Sequence, residues 1–577
     1  MSDASGPAPA PGDGAAQLAA LADAYFDLEL AADPFAATML GVPGHDAEVP
    51  DLSAPAARRT REALLRLQER LRAVDPRPLG RQDRITHAML GLACRDAVAE
   101  LDAGRPEFTV TATGGGVQTE VIATVPKVTL RTAAQAADYL ARCRRLDGYL
   151  AGAAERLAAG IAAGRTPSRH GVQAAIAQLD ATLAGPVAAD PLLAPDPPAD
   201  VDADRWRAEL AGVVADTVRP ALRRYRQALA ERVLPAARPD DRCGLAHLDG
   251  GEAIYRDLVR RHTTTELTPD EIHQLGRRLV ADVGDELRAL GAAALGEPDL
   301  AGVLARLRDD PALRFRSGAE ILASAQAALD RASAALPDCV GRLPAAPCEV
   351  AEMSPFEMED AVLGYYQQPT ADGRPGIHWL NTSAPTTRTR YEYEALAFHE
   401  SVPGHHLQFA LALELDELPR FRRLGYVTAF SEGWALYAER LADELGLYSG
   451  DLARLGMLSF DAWRACRLVV DTGLHQRGWS RAQAIDYLLA NTALTPTNCR
   501  NEVDRYIADP GQALAYMVGR LELVRLRRHA RQRLGGRFDL RAFHDAVLAT
   551  GGVPLAVLAG EVDRFVAEGG RPAGTGW

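Results

Sequence analysis

The stretch YEYEALAFHESVPGHHLQ, residues Tyr391–Gln408, decides the fold of this chain. It places His399, Glu400, His405 and His406 within eight residues, on what the surrounding pattern predicts to be a helix. A His-Glu pair followed by further histidines is typical of zinc hydrolases, in which imidazoles bind the metal and the carboxylate activates the metal-bound water. The stretch therefore predicts a metal site carried by a helix.

The histidine spacing departs from the common H-E-x-x-H motif, in which the second ligand follows the first by four residues. That position is Pro403 here. In an ideal helix His405 would point about 120° away from His399, and His406 would return to the same face about 10 Å further along the axis. Because proline disturbs the preceding turn and Gly404 permits a bend, we interpret HESVPGH as H-E-x-x-H with a two-residue Pro-Gly bulge that brings His405 to the metal. The residues alone leave His406 open as the second ligand, and a kinked core helix is the alternative.

A second motif contains the predicted third ligand. The stretch TAFSEGWALYAERLADEL, residues Thr428–Leu445, predicts an amphipathic helix with Ser431 as its N-cap. Glu432 would lie in its first turn, 32 residues after Glu400. In zinc hydrolases a glutamate on the next helix often completes the ligand set and leaves the fourth position for water. We therefore predict one zinc ion per chain, bound by Glu432 and two histidines; the alternative is a glutamate favoured only by the helix dipole.

Several runs of the sequence together resemble a known family. They are GGEAIYRDLVRRHTTTELTPDEIHQLG, HESVPGHHLQ, SEGWALYAERL, DTGLHQRGWS and EVDRYIADPGQALAYMVGRLELVRLR. In this order they resemble the DUF885 family of bacterial zincin-like proteins with an HExxPGHH motif, over about residues 17–565. The resemblance implies a zincin-like, oligopeptidase- or carboxypeptidase-type helical fold with a deep cleft and a zinc site at the residues above. It also favours His405 over His406, and it places Met517 where many relatives have a lysine.

Composition excludes several classes of function. The net charge is 64 − 77 = −13, which argues against a surface for nucleic acid or anionic membranes. Lys127 is the only lysine, so Schiff-base and pyridoxal-phosphate chemistry are nearly excluded. The seven cysteines form no C-x-x-C pair, which argues against a disulfide scaffold and a cysteine metal site.

The chain is predicted to have three regions. Residues 1–16 are rich in small residues and predict a disordered tail. Two breaks, the proline-rich Leu183–Ala199 and Leu234–Gly244, place an N-terminal helical region at 17–240 and a zincin-like catalytic region at 241–577. No signal-peptide pattern and no apolar run of about 18 residues is found, so the expected location is the cytoplasm.

The predicted fold class is mainly α with a small β-sheet near the active site. Strand signals fall before the metal helix, in Ala346–Leu363 and in Gly376–Asn381. We predict that Gly376–Asn381 is an edge strand that pairs with an extended substrate backbone.

The C-terminal motifs contain candidates for the remaining chemistry. Hydrolysis passes through an oxyanion that needs a donor besides the metal. Tyr516 and His475 are the predicted catalytic donors, and Tyr506 is a further candidate. Each could equally be a core residue with its polar atoms satisfied.

Four residues are predicted to contact the substrate. Arg505 and Arg520 could hold a carboxylate through bidentate pairing, although a structural ion pair is the alternative for either arginine. Tyr506 and His406 complete this set.

The function that these patterns favour is hydrolysis of peptide or related amide bonds, with Glu400 as general base. The alternative is a tailoring enzyme or binding protein that acts on a small amide-containing metabolite on the same fold. The expected partner is thus a peptide or small amide substrate, with no nucleic acid and no membrane. Assembly as a homo-oligomer stays open.

Overall fold

The computed structural model describes residues 13–353, 363–370 and 373–571. Over these ranges the fold is mainly helical with one three-stranded sheet, which confirms the predicted fold class at this level. None of the helices in the described ranges is long and apolar enough to cross a membrane.

The described α-helices of six or more residues are α1 (Asp13–Ala32), α2 (Pro34–Met39), α3 (Ala54–Arg72), α4 (Arg81–Ala103), α5 (Ala133–Ala162), α6 (Arg169–Ala184), α7 (Ala203–Val213), α8 (Arg219–Ala228), α9 (Gly251–Thr263), α10 (Pro269–Leu295), α11 (Leu300–Asp309), α12 (Gly318–Cys339), α13 (Tyr393–Glu400), α14 (His405–Leu413), α15 (Thr428–Glu444), α16 (Asp451–His475), α17 (Arg481–Asn491), α18 (Pro496–Ala508), α19 (Ala515–Leu534), α20 (Leu540–Leu548) and α21 (Leu555–Ala567). The strands are β1 (Cys348–Glu352), β2 (Gly364–Gln367) and β3 (Gly376–Leu380).

The chain divides into two compact units. The first unit extends to Asp257 and also includes Leu474–Ala482 and Asp504–Asp509, and the second unit contains the rest. This division differs from the predicted boundary at residue 240, because two C-terminal stretches join the first unit. Ion pairs explain one of these attachments: Asp504 lies 2.9 Å from Nε2 of His170 and 2.6 Å from Nε of Arg481.

The predicted N-terminal tail is partly helical. Helix α1 begins at Asp13, so residues 13–16 belong to a helix rather than to a disordered segment. Residues 1–12 lie outside the described ranges.

Local signals in the sequence explain the helices of the first unit. Ser53, Thr132, Ser168 and Asp202 precede α3, α5, α6 and α7, and each side chain accepts from the backbone amide three residues further on. Such N-caps satisfy one of the amides that the first helical turn leaves unpaired. The apolar faces of these helices then pack into one buried cluster that includes Trp206, whose indole N–H donates to a backbone carbonyl at 2.9 Å.

The second unit contains the sheet, in the order β1-β3-β2. β3 pairs with β1 in parallel and with β2 in antiparallel orientation, so it is the central strand. The prediction that Gly376–Asn381 forms an edge strand is therefore wrong. Backbone hydrogen bonds to two neighbouring strands leave β3 with no free edge, and the two outer strands are β1 and β2.

Helices α15 and α19 cross at two glycines. A Cβ atom on Gly519 would lie 1.9 Å from the carbonyl oxygen of Ala429, and one on Gly433 would lie 2.6 Å from Cα of Gly519. Only glycine allows this approach without a backbone shift. The crossing positions α15 at the residue after Glu432, and so it determines where that glutamate lies.

We predict that Gly519→Ala lowers the free energy of unfolding by about 1–3 kcal/mol, because overpacking against a backbone carbonyl forces the helices apart. Gly148→Ala is the control. Gly148 lies inside α5, and no atom lies within 4 Å of the place that a Cβ atom would take there. Alanine at this position should raise the free energy of unfolding by about 0.5–1 kcal/mol. Urea denaturation measures both, and equal effects of the two substitutions would contradict the close crossing.

Candidate metal centre

The His-Glu helix stops and restarts between its histidines. α13 ends at Glu400 and α14 begins at His405, so the predicted two-residue bulge within one continuous helix is wrong. Pro403 has no amide to continue the helix. A Cβ atom on Gly404 would lie 2.0 Å from the carbonyl oxygen of His399, and only glycine fits so close to this turn. The two histidines therefore begin and end different helices.

Three donor atoms converge across this break. Nε2 of His399 lies 3.4 Å and Nε2 of His405 lies 3.5 Å from Oε2 of Glu432, and all three donors lie within 4.8 Å of one another. All three residues are buried. Ligands about 2.0–2.2 Å from a tetrahedrally coordinated zinc ion lie about 3.4 Å apart, so this donor set fits zinc in both chemistry and spacing.

The position of Glu432 differs in detail from the prediction. α15 begins at Thr428 with Val427 at the N-cap and no side-chain cap, so the prediction of Ser431 as N-cap is wrong. Ser431 lies inside the helix, and Glu432 is its fifth residue rather than part of the first turn.

Tyr426 determines which oxygen of Glu432 faces the histidines. Its hydroxyl donates to Oε1 of Glu432 at 2.6 Å, whereas Oε2 is buried and has no hydrogen-bond partner among the described residues. A buried carboxylate oxygen without a donor is costly unless a cation satisfies it. Tyr426 is 50% exposed and its ring stacks on Phe409, so only one side chain separates Glu432 from solvent there.

Glu439 orients the first histidine and was missed by the sequence analysis. Nδ1 of His399 lies 2.7 Å from Oε1 of Glu439, a fully buried carboxylate. Because a carboxylate accepts, Nδ1 carries the proton and Nε2 keeps its lone pair for a metal. The available signal was spacing: Glu432 and Glu439 are seven residues apart, which is about two turns along one face of a helix.

Glu400 has the environment expected of a general base. Burial raises the pKa of its carboxyl group, while the nearby His399 and His405 act in the opposite direction. It makes no hydrogen bond within the part of the chain that the structure describes. A carboxylate with a raised pKa and free oxygens can take a proton from water and release it again.

The structure separates His406 from the donor cluster. Its Nε2 lies 3.0 Å from the carbonyl oxygen of Ala346, and its Nδ1 lies 3.0 Å from the hydroxyl of Tyr366. Because a carbonyl only accepts, Nε2 donates and Nδ1 accepts from the tyrosine. Burial lowers the pKa of His406 to about 4, so the ring is neutral. The cluster therefore groups His405, and not His406, with His399 and Glu432.

The sheet lies beside the cluster through β2 and β3. The ring of Tyr366 on β2 stacks on that of His405, with centroids 6.5 Å apart. His378 on β3 is fully buried, and burial together with the charge of His399 lowers its pKa to about 3. This neutral histidine was also missed, because a single histidine in an apolar strand carries no distinctive spacing.

Two predicted residues of α19 lie in the same unit as the cluster. Tyr516 lies under the guanidinium of Arg467, 4.4 Å from it. Arg520 donates to Asp461 in a buried ion pair. That pairing favours the structural alternative for Arg520, because a guanidinium bonded to a buried carboxylate is less available to a substrate.

The remaining predicted residues belong to the first unit. His475 is buried, its Nδ1 accepts from the amide of Leu245 at 3.1 Å, and its Nε2 donates to the carbonyl of Tyr506 at 2.9 Å. These bonds favour a structural role for His475 over the predicted catalytic one. Tyr506 is fully buried with the guanidinium of Arg505 5.0 Å from its ring, and the contacts of this pair indicate no contact with a substrate.

Comparison with known proteins identifies the relatives of this fold. A family model described as "Bacterial protein of unknown function (DUF885)" matches residues 34–562. A solved structure of a "putative lipoprotein" from Colwellia psychrerythraea is 28% identical, with a TM-score of 0.89 over 96% of this chain and 99% of that one. A "putative lipoprotein of unknown function" from Shewanella oneidensis is 16% identical, with a TM-score of 0.72 over 94% and 99%, which shows the fold alone. No curated protein matches the chain.

Alanine substitution tests the donor set. His399→Ala, His405→Ala and Glu432→Ala each remove one of three ligands, so zinc should fall from about one ion per chain to a small fraction of that after dialysis. His406→Ala is the matched control and should keep its zinc, because His406 bonds to Tyr366 and Ala346 instead. Mass spectrometry of the metal measures all four. Zinc lost from His406→Ala and kept by His405→Ala would reverse the assignment.

Zinc binding should release a proton and strengthen with pH. Burial disfavours the imidazolium of His399, but hydrogen bonds to Glu432 and Glu439 outweigh this and raise its pKa to about 9. Below that pH a proton competes with the metal for Nε2, so the zinc affinity should rise by up to about tenfold per pH unit between pH 7 and 9. Calorimetric titration in buffers of different ionisation enthalpy measures the released proton. An affinity that does not change over this range would contradict the protonated state of His399.

Proposed function

The chain belongs to the DUF885 family, and we propose that it is a zinc-dependent hydrolase of peptide or related amide bonds on a zincin-like fold. The observation that supports this most directly is the convergence of His399, His405 and Glu432 on one point beside Glu400. Structural histidines are normally satisfied by hydrogen bonds within the protein. Here two Nε2 atoms and an unpaired carboxylate oxygen face each other instead.

The residues of the site divide the chemistry between them. A zinc ion held by the three donors would supply Lewis acidity, which polarises a substrate carbonyl and makes water a stronger nucleophile. Glu400 takes the proton of the attacking water as the C–O bond forms. It then gives that proton to the amide nitrogen as the C–N bond breaks, so that a carboxylic acid and an amine leave. Glu439 holds the ring of His399 in place throughout.

The oxyanion that forms at the carbonyl carbon needs a donor from the protein. Tyr516 remains the proposed donor, since it lies in the same unit and its charge acts on Tyr426 beside the cluster. Tyr426 itself donates to Glu432 and so acts by orienting the proposed ligand.

The cytoplasm is the proposed location, and no nucleic acid or membrane is a proposed partner. All seven cysteines are free, as expected in a reducing compartment. The two solved neighbours are described as lipoproteins, so cell fractionation is the test: the proposal requires the protein in the soluble fraction.

Glu400→Gln tests the catalytic role. The amide keeps the size of the side chain but cannot accept a proton, so turnover should fall by about 10²–10⁴-fold while zinc stays bound. Glu417→Gln is the matched control, because Glu417 is exposed and lies outside the site. Short peptides and N-acylated amino acids serve as substrates, with product masses as the readout.

Near-normal turnover in Glu400→Gln would assign the base to another residue. A wild-type protein that binds zinc but cleaves none of these substrates would instead favour the alternative, a protein that binds or modifies a small amide-containing metabolite.

A further inference from the structure

Helix α16 packs against the helices that carry the metal ligands. Ser459 donates to Glu392, the residue just before α13, at 3.2 Å. Two residues further on, Asp461 is fully buried and bonds to Arg440 of α15 and Arg520 of α19. This face of α16 therefore points into the interior that contains the cluster.

Arg464 lies about one turn further along the same helix. It is only 5% exposed, and its guanidinium carbon lies 4.2 Å from the ring of Phe460 and 4.3 Å from that of Trp463. Its Nε and Nη1 are buried and have no hydrogen-bond partner among the residues that the structure describes. The aromatic rings hold the guanidinium in place but satisfy none of its N–H groups.

The other buried arginines of this region have carboxylate partners. Arg520 bonds to Asp461, and Arg467, one turn after Arg464, lies 3.1 Å from Glu502. A buried cation without a hydrogen-bonded anion is strongly unfavourable in a folded protein. The contrast singles out Arg464 as a cation whose partner comes from outside the chain.

Arg464 lies within electrostatic reach of the metal cluster. The negative charges of Glu400, Glu432 and Glu439 all interact with its guanidinium, although none of them is bonded to it. A group that bonds to Arg464 would thus lie close to the reacting centre. The planar fork of N–H donors matches a carboxylate in particular.

We propose that Arg464 binds a carboxylate of the substrate, so that the enzyme acts on amides that carry a free carboxylate near the scissile bond. This inference rests on the proposed function. It names the substrate class as peptides with a free C-terminus or N-acylated amino acids, and it gives Arg464 the role predicted for Arg505 and Arg520.

Binding measurements test this without requiring turnover. The probes are N-acetyl-phenylalanine and its C-terminal amide, titrated calorimetrically into zinc-loaded protein. Wild type should bind the acid more tightly than the amide. Arg464→Gln should weaken binding of the acid by about 10- to 10²-fold, the value of a charge-assisted hydrogen bond, and leave binding of the amide unchanged. Arg454→Gln is the control, because Arg454 lies on α16 but is paired with Asp443 at the surface.

Two further variants and states separate the alternatives. Arg464→Lys keeps the charge and loses the planar fork, so it should bind the acid with intermediate affinity even if Arg464→Gln folds poorly. If the acid binds to Arg464→Gln as to wild type and is lost only when zinc is removed, the metal binds the carboxylate and the proposal is overturned. If Arg464→Gln changes zinc content but not the preference for the acid, the arginine only balances the charge of the glutamates, which also overturns it.

Turnover distinguishes this proposal from the proposed function. With paired N-acylated dipeptide acids and amides, Arg464→Gln should lose kcat/KM for the acids alone. Wild-type protein that cleaves neither substrate but shows the Arg464-dependent preference in binding would contradict the hydrolase and leave the carboxylate site standing.

Discussion

The close contact between Gly404 and the carbonyl oxygen of His399 is the constraint on which the rest of the site depends. The contact ends one helix and begins another within five residues, and this change of direction brings His405 to face His399. The indole of Trp434 donates to the carbonyl of Pro403 at 2.8 Å, so α15 holds the same turn from outside. Because α15 also carries Glu432, one set of contacts aligns all three donor atoms.

The charges of the site balance only when a cation is counted. Glu400, Glu432 and Glu439 bring three carboxylates into an interior where two histidines and one unpaired arginine are the cations nearest to them. Without a metal, His399 must hold a proton to stabilise its glutamates, which is why its pKa is raised to about 9. A divalent ion would take over that role, and the hydrogen bond to Glu439 would then orient the ring rather than hold a charge.

Sequence patterns predicted the ligand residues but not the backbone that brings them together. Residue type and spacing were enough to single out His399, His405 and Glu432, because few proteins need such groups so close together. The break at Gly404 could not be predicted in the same way, since a bulge and a restart satisfy the same spacing. Contacts between distant segments were also beyond reach: the central position of β3 depends on its pairing with β1 and β2, and the bonds of His475 depend on Leu245, 230 residues away.

Anomalous diffraction at the zinc absorption edge, from crystals of protein grown with zinc, tests the central claim most directly. The predicted result is one strong peak per chain, about 2.0–2.2 Å from Nε2 of His399, Nε2 of His405 and one oxygen of Glu432. A structure at good resolution without a peak at these residues, or with a peak coordinated by His406 in place of His405, would contradict the metal centre and with it the proposed hydrolase.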